Sequence, residues 1–195
     1  MTISPEALIG LLGVIIGAFV TIGWDSIQAL WTRKKQRVYL AARVICILED
    51  FIVGCTSVVK DDGEPDQDDC LHTQVPLPEI NFTSLDVDWK VLPAGLMFEI
   101  LSLPSKGAEA KRVIDATFFY AASPPDNKEG FDERHQQYSE LGLIACNLSI
   151  KLRSKFKLPQ SEYEDERPSD VFQTKIAKLY QSNERGNLSN QLNWD

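Results

Sequence analysis

The sequence contains few of the residues that metal sites and catalytic centres use most often. It has 2 histidines and 4 cysteines among 195 residues, and no two cysteines form a C-x-x-C pair. The glycine-rich fingerprints that bind nucleotides are missing, and so are the G-x-S-x-G nucleophile motif and the H-E-x-x-H zinc motif. We therefore expect no cofactor and no metal site.

An excess of basic residues is also missing. The chain has 20 Lys and Arg residues against 28 Asp and Glu residues, a net charge of -8. Residues 61–195 alone hold fourteen basic and twenty-four acidic side chains. Nucleic-acid binding depends on cations that contact phosphates, so this distribution argues against a nucleic-acid partner. The length fits one domain, or one domain with an anchor.

Charge is absent from one long stretch near the N-terminus. Residues 7–24 lack Asp, Glu, Lys and Arg, and as a helix they would extend ~27 Å, close to the ~30 Å hydrocarbon core of a bilayer. A cleaved signal peptide is disfavoured because residues 1–6 contain no Lys or Arg. A buried core helix is disfavoured because the stretch has no polar face. We predict a transmembrane anchor over residues 1–24, with the lipid bilayer as its partner.

Basic residues follow this stretch and predict its orientation. The positive-inside rule places the C-terminal domain in the cytoplasm and the N-terminus outside, in the plasma (inner) membrane. Trp24 and Trp31 lie seven residues apart on nearly one helical face and are expected to anchor the helix at the interface. Trp31 as a core residue of the soluble domain is an equally open alternative. The expected interfacial residues are Trp24, Trp31, Arg33, Lys34, Lys35 and Arg37.

Small residues recur inside the predicted span. Gly10, Gly13, Gly17 and Thr21 are spaced by three or four residues, which would let two helices approach closely. This row is compatible with self-association as a homodimer. The alternative is that glycine is simply common in membrane helices.

The remainder predicts an all-α fold, in which the transmembrane helix continues into a cytoplasmic bundle of about five helices. A helix over residues 25–59 carries a heptad seam, and no Pro or Gly interrupts residues 24–53. Residues 25–158 form the bundle domain, and residues 159–195 form an acidic linker, a short helix and a polar tail. The other expected helices cover residues 93–103, 105–122, 127–156 and 170–183, with a capping box at Asp126 and Glu129 and an N-cap at Ser169.

An acidic loop over residues 61–74 separates the first two helices. Residues 61–69 hold six carboxylates and no base, a composition that favours a disordered, solvated link. The spacing does not fit a calcium-binding loop, so no metal is expected there.

The cysteines and the basic end of the 127–156 helix each have a structural explanation. In a cytoplasmic domain the thiols would be reduced, and Cys46, Cys55 and Cys146 are expected in the core. The basic residues near 151–157 would oppose the helix dipole. The alternative is that they contact anionic headgroups.

One polar cluster, Asp132, Glu133 and His135, is a candidate for acid–base chemistry. The alternative is a solvated first helical turn, enriched in acidic residues by the helix dipole. We therefore favour a non-enzymatic interaction or scaffold module that binds an unidentified protein partner at the membrane. The alternatives are a membrane-tethered hydrolase or transferase that uses this cluster, and a lytic or toxic membrane protein of a mobile element.

Overall fold

The computed structural model describes the backbone of residues 5–161 and 167–192, and the side chains of residues 24, 28, 30–161, 167–182 and 184. Over these ranges the chain forms four α-helices and one short β-hairpin. The all-α expectation is confirmed, but the expected number of about five bundle helices is wrong. The elements are α1 (Pro5–Val59), β1 (Glu64–Pro65), β2 (Leu71–His72), a 3₁₀ turn (Trp89–Val91), α2 (Ala94–Tyr120), α3 (Lys128–Phe156) and α4 (Pro168–Leu192).

Helix α1 is continuous over 55 residues, and it shows no break between residues 24 and 53, as the lack of Pro and Gly there predicts. Its C-terminal part is central to the core and buries Leu40, Ala41, Val44, Ile45, Leu48, Ile52, Cys55 and Val58. Residues 24–37 differ, because every side chain described there is exposed. We call residues 24–37 the stalk. The stalk leads directly into the part of α1 that packs in the bundle.

Among the side chains that the structure describes, no helix carries an apolar stretch long enough to cross a membrane. The predicted span over residues 7–24 lies outside the described side chains, apart from Trp24. Gly10, Gly13, Gly17 and Thr21 lie outside them as well. The anchor and its small-residue face therefore stay predictions.

Helix α3 runs antiparallel to α1. Arg134, near the start of α3, forms an ion pair with Asp61, two residues after the end of α1. Arg153, near the end of α3, forms an ion pair with Glu49. The start of α3 therefore lies at the end of the bundle far from the stalk, which we call the distal end.

The segment between the hairpin and α2 returns along the bundle with little regular secondary structure. Tyr138 Oη donates to the Pro78 carbonyl at 3.4 Å, and Arg37 Nε donates to the Val91 carbonyl at 2.7 Å. A Cβ on Gly54 would lie 2.6 Å from the Pro78 Cβ, so glycine is what allows the segment to cross α1 so closely. The segment connects the distal end to the stalk.

The two short helices predicted on either side of Pro104 are one helix, α2. Proline removes a backbone donor and clashes with the preceding turn, at a cost of about 3 kcal/mol. The helix continues because buried residues on both sides of Pro104 must face the same core. Ile100 and Leu103 precede Pro104, and Ala110 and Ile114 follow it. Tertiary packing here overrides the local preference.

The acidic loop is an ordered hairpin rather than a disordered link. Asp66 Oδ1 accepts from the backbone N–H groups of Asp68 and Cys70 at 2.8 and 3.0 Å. Leu71 N donates to the Pro125 carbonyl at 2.8 Å, and Asn127 Nδ2 donates to the Leu71 carbonyl at 3.0 Å. The carboxylates thus satisfy backbone donors in the loop, and the loop is joined to the α2–α3 connection.

The caps predicted for α3 and α4 are also wrong. Asn127, with a φ of 47°, precedes α3 without a side-chain cap, and Asp126 Oδ1 accepts from Lys128 N at 3.2 Å. The capping box with Glu129 is therefore not formed. α4 begins at Pro168, a residue suited to a first helical turn, rather than after a cap at Ser169. It extends to Leu192, beyond the expected end at residue 183 and into the predicted polar tail.

Helix α4 packs against α3 through one close approach. Phe172 is fully buried, and a Cβ on Gly142 would lie 2.4 Å from its ring. We expect Gly142→Ala to destabilise the fold by about 1–3 kcal/mol, because the ring must shift within a packed core. Gly107→Ala is the matched control, since nothing lies within 4 Å of a Cβ there. It should stabilise α2 by about 0.5–1 kcal/mol.

Urea unfolding of the full chain in mild detergent, followed by circular dichroism, measures both free energies. Equal effects of the two substitutions would contradict the described contact between α3 and α4.

Candidate functional site

A cavity of about 340 Å³ lies at the distal end, between the hairpin, the first turns of α3, and α4. Its apolar wall is formed by Leu71, Phe131 and Leu179. Two of the three residues of the predicted cluster, Asp132 and His135, line it. The predicted alternative of a fully solvated first turn is therefore wrong for His135, which is only 4% exposed.

His135 is held by the backbone at the end of α1. Its Nε2 lies 3.0 Å from the Asp61 carbonyl oxygen. A carbonyl oxygen only accepts, so Nε2 carries the proton and Nδ1 is the ring atom with a free lone pair in the neutral form. Burial lowers the pKa of His135 below its usual 6.5, although the Asp61 carbonyl opposes this shift. The ring is therefore neutral at pH 7.

The other two members of the cluster are engaged elsewhere. Asp132 forms an ion pair with Lys128 one helical turn earlier, and this contact raises the pKa of Lys128. Glu133 Oε1 accepts from Gln137 Nε2 at 2.7 Å, and Glu133 does not line the cavity. The three side chains do not converge on one point, so the enzymatic hypothesis stays a prediction without added support.

The charges around the cavity balance. Lys175 Nζ lies 3.2 Å from Asp62 Oδ1, which joins α4 to the hairpin. Because the numbers of cations and anions are equal, the lining has no net charge that would select the charge of a ligand. The charged side chains of the lining, apart from His135, are Asp62, Asp126, Lys128, Asp132, Lys175 and Lys178.

A buried ion pair that sequence reasoning missed lies beside His135. Arg134 Nη1 donates to Asp61 Oδ2 at 2.8 Å, and the two side chains are 2% and 4% exposed. Arg134 Nη2 donates to the Val75 carbonyl. Asp61 also accepts from the backbone N–H groups of Gln74 and Val75 at 3.0 and 2.9 Å, and from Gly63 N at 3.1 Å. The pair thus joins α1, the hairpin and α3.

Hydrogen bonds keep the Asp61 carboxylate ionised despite its burial. Burial alone would raise the pKa of Asp61, but the donors from Val75, Arg134, Gly63 and Gln74 together outweigh it. The pKa of Asp61 consequently lies below its usual 3.8. Buried charges are tolerated when they are paired and hydrogen-bonded, and here the carboxylate accepts four hydrogen bonds while the guanidinium donates two.

The sequence carried a signal for this pair. The apolar row of α3, at Tyr138, Leu141 and Ala145, extends back by four residues to Arg134. A charged residue at a core position requires a buried partner of opposite charge. Asp61 directly follows the apolar end of α1, where such a partner could lie.

Asp66 is bound within the acidic loop through both of its carboxylate oxygens. Asp66 Oδ2 lies 2.8 Å from His72 Nε2, while Asp66 Oδ1 accepts from the loop backbone. These bonds lower the pKa of Asp66, with the Cys70 and Asp68 N–H groups contributing most. Among the residues that the structure describes, no group of three His, Cys, Asp or Glu side chains is placed to hold a metal ion.

The predicted interfacial residues lie on the stalk. Trp24 is 62% exposed and Trp31 is 66% exposed, so the alternative of Trp31 as a core residue is wrong. Arg33, Lys34 and Lys35 are exposed as well. Arg37 is different, because its Nε donates to the Val91 carbonyl and so attaches the segment before α2 to the stalk.

The cysteines divide into buried and accessible thiols. Cys55 and Cys146 are buried, as predicted, whereas Cys46 is exposed rather than in the core. Burial raises the pKa of Cys55, with the nearby Cys146 adding to the shift, and burial raises the pKa of Cys146 to about 11. These two thiols stay protonated at neutral pH and behave as small core side chains.

The basic end of α3 is partly neutralised within the bundle. Lys151 Nζ lies 2.7 Å from Glu99 Oε2, and Arg153 pairs with Glu49. Glu49 is 25 residues beyond Trp24 on the same helix, or ~38 Å along its axis. That distance favours the interpretation through the helix dipole over contact with headgroups.

The contribution of the buried pair of Asp61 and Arg134 to stability can be tested by substitution. Asp61→Asn leaves the Arg134 charge buried without its carboxylate, and we expect a loss of about 3–5 kcal/mol in the free energy of unfolding. The double variant Asp61→Asn/Arg134→Met removes both charges and should recover much of that loss. Asp132→Asn, at an exposed pair within one helix, should change stability by less than about 1 kcal/mol. Urea unfolding measures the free energy of unfolding of all three variants. Equal losses in Asp61→Asn and Asp132→Asn would contradict the expectation that the buried pair contributes more to stability than the exposed pair.

The lowered pKa of His135 predicts a pH dependence. Above pH 6.5, the usual pKa, the ring is neutral in the folded and the unfolded chain, and its contribution to stability is complete. As the pH falls below 6.5 the unfolded chain binds a proton that the buried ring resists, so stability declines until the folded form is protonated too. Unfolding between pH 8 and pH 5 should show this decline in the wild type and in His72→Gln, but a flatter profile in His135→Gln. If His72→Gln flattened the profile and His135→Gln did not, the pH dependence would come from His72, and the prediction would be wrong.

Comparison of the chain with protein-family models, with curated proteins and with solved structures found no match. A functional assignment therefore depends on the contacts, charges and exposure of the chain itself.

Proposed function

We propose that this chain is a single-pass membrane-anchored helical module, which binds a protein partner or a second copy of itself at the cytoplasmic surface of the plasma (inner) membrane. In this proposal the apolar stretch over residues 7–24 is the span. The bundle is held below the membrane by the stalk. The protein acts by binding rather than by catalysis.

The observation that carries the proposal is the continuity of α1. One helix includes the uncharged stretch, the exposed stalk and the most deeply buried part of the core. From Trp24 to Leu40, the first fully packed core residue, the rise is ~24 Å. The bundle residues are folded around the end of α1 that lies away from the uncharged stretch, which supports a domain suspended from an anchor.

Exposed aromatic residues on α2 support a binding role for the bundle. Phe98, Phe119 and Tyr120 are each more than 70% exposed. Phe119 and Tyr120 contact each other edge to face, with ring centroids 4.7 Å apart. Exposed aromatic side chains are enriched at protein–protein interfaces, where they bury a large area at a small entropic cost.

The exposed thiol of Cys46 provides a reporter of topology. In a Cys70→Ser background, Cys46 is the accessible thiol of the bundle, because Cys55 and Cys146 are buried. We expect a membrane-impermeant maleimide to label the full chain only after sealed cells or spheroplasts are broken. We also expect the chain to stay in the membrane pellet after an alkaline carbonate wash, because a spanning helix is not released by removing charge attraction.

The double variant Cys46→Ser/Cys70→Ser is the control for labelling elsewhere. Labelling of Cys46 in sealed cells would reverse the proposed orientation. Release of the chain by carbonate would rule out the anchor.

A further inference from the structure

The three consecutive cations Arg33, Lys34 and Lys35 are exposed on the stalk, and we call them the basic collar. We propose that the collar binds the headgroups of anionic phospholipids, so that the module prefers membrane regions with a negative surface. This inference deepens the proposed function and rests on its membrane anchor. The anchor alone does not specify which lipids the stalk contacts, and this inference names their class.

Among the residues that the structure describes, none forms an ion pair or a side-chain hydrogen bond with the collar, whose three side chains are exposed. Successive helical residues are ~100° apart, so three consecutive cations spread around most of the helix. Arg37, the fourth basic residue of the stalk, is excluded from the collar because it donates to the Val91 carbonyl. The structure thus separates one structural arginine from three available cations.

The distance from the predicted span suits headgroup contact. The collar lies nine to eleven residues beyond Trp24, or ~14–17 Å along an upright helix. Subtracting the hydrocarbon core from the full bilayer thickness leaves a headgroup region of roughly 5–7 Å on each side. Helical side chains lean toward the N-terminus of their helix, which for the stalk is the direction of the membrane. Long Lys and Arg side chains therefore extend back across most of the remaining gap, which is about one Debye length.

The alternative cationic region of the bundle does not fit the same role. The basic end of α3 is level with Glu49, ~38 Å from Trp24. Its side chains lean toward the start of α3, which is away from the membrane. At several Debye lengths its attraction to the surface is screened.

Charge favours lipid over a second copy as the occupant of the stalk. Trp24, Trp31 and Lys34 follow one heptad row, at spacings of seven and three residues. A parallel pair of stalks joined along this row would bring two Lys34 ammonium groups and their neighbouring cations together, which is unfavourable. An anionic surface instead neutralises the collar, while the exposed Trp31 and Leu30 side chains suit the interfacial layer.

The full chain in nanodiscs tests this inference. Equimolar phosphatidylcholine and phosphatidylglycerol nanodiscs are partly delipidated, and the retained lipids are counted by native mass spectrometry. We expect the wild type to retain phosphatidylglycerol several-fold over phosphatidylcholine at low salt, since each charge near the surface contributes about a fivefold preference at most. The triple variant Arg33→Gln/Lys34→Gln/Lys35→Gln should lose the preference, and salt should weaken it in the wild type.

The matched control removes three exposed cations from α2, which leads away from the stalk. The variant Lys106→Gln/Lys111→Gln/Arg112→Gln should keep the wild-type lipid ratio. A chain that inserts but shows no lipid preference, or a collar variant that keeps it, would overturn this inference and leave the anchor standing. Failure of the wild type to resist carbonate would overturn the anchor and this inference together.

Discussion

The buried pair of Asp61 and Arg134 holds the distal end of the bundle together. Its carboxylate accepts from three backbone N–H groups of the hairpin region as well as from the guanidinium, so a single side chain orders the turn after α1. The same turn presents the Asp61 carbonyl to His135. If either charge is removed, the other is left buried without its partner, and the contacts of the hairpin with α3 lose their common centre.

Charge is distributed so that the two ends of the molecule differ. The stalk carries cations that face solvent, whereas several charges at the distal end are paired within the bundle or with near neighbours. The domain beyond residue 60 is acidic overall. A negative membrane surface would therefore attract the stalk and repel the body, and both forces would keep the bundle's long axis away from the membrane plane.

Local periodicity predicted the parts of the fold that depend on neighbours in sequence. The seam of α1 and the row of α3 repeat every three or four residues, and both helices follow those rows. The break predicted at Pro104 was wrong. Ile100 and Ile114 both pack in the same core, and this tertiary constraint cannot be read from the local sequence. Asp61 was one of six carboxylates in a short run, and its partner lies 73 residues away. Of the candidate site, Asp132 and His135 were found from the sequence, while Arg134 between them was not.

The unbroken course of α1 has a geometric consequence. A helix without a hinge transmits rotation, so any turn of the uncharged stretch about its axis turns the bundle by the same angle. One residue inserted into the stalk would rotate the bundle by ~100° and lower it by ~1.5 Å. In the anchored protein that we propose, the phase of the helix between Trp24 and Leu40 determines which side of the bundle faces a neighbouring molecule in the same bilayer.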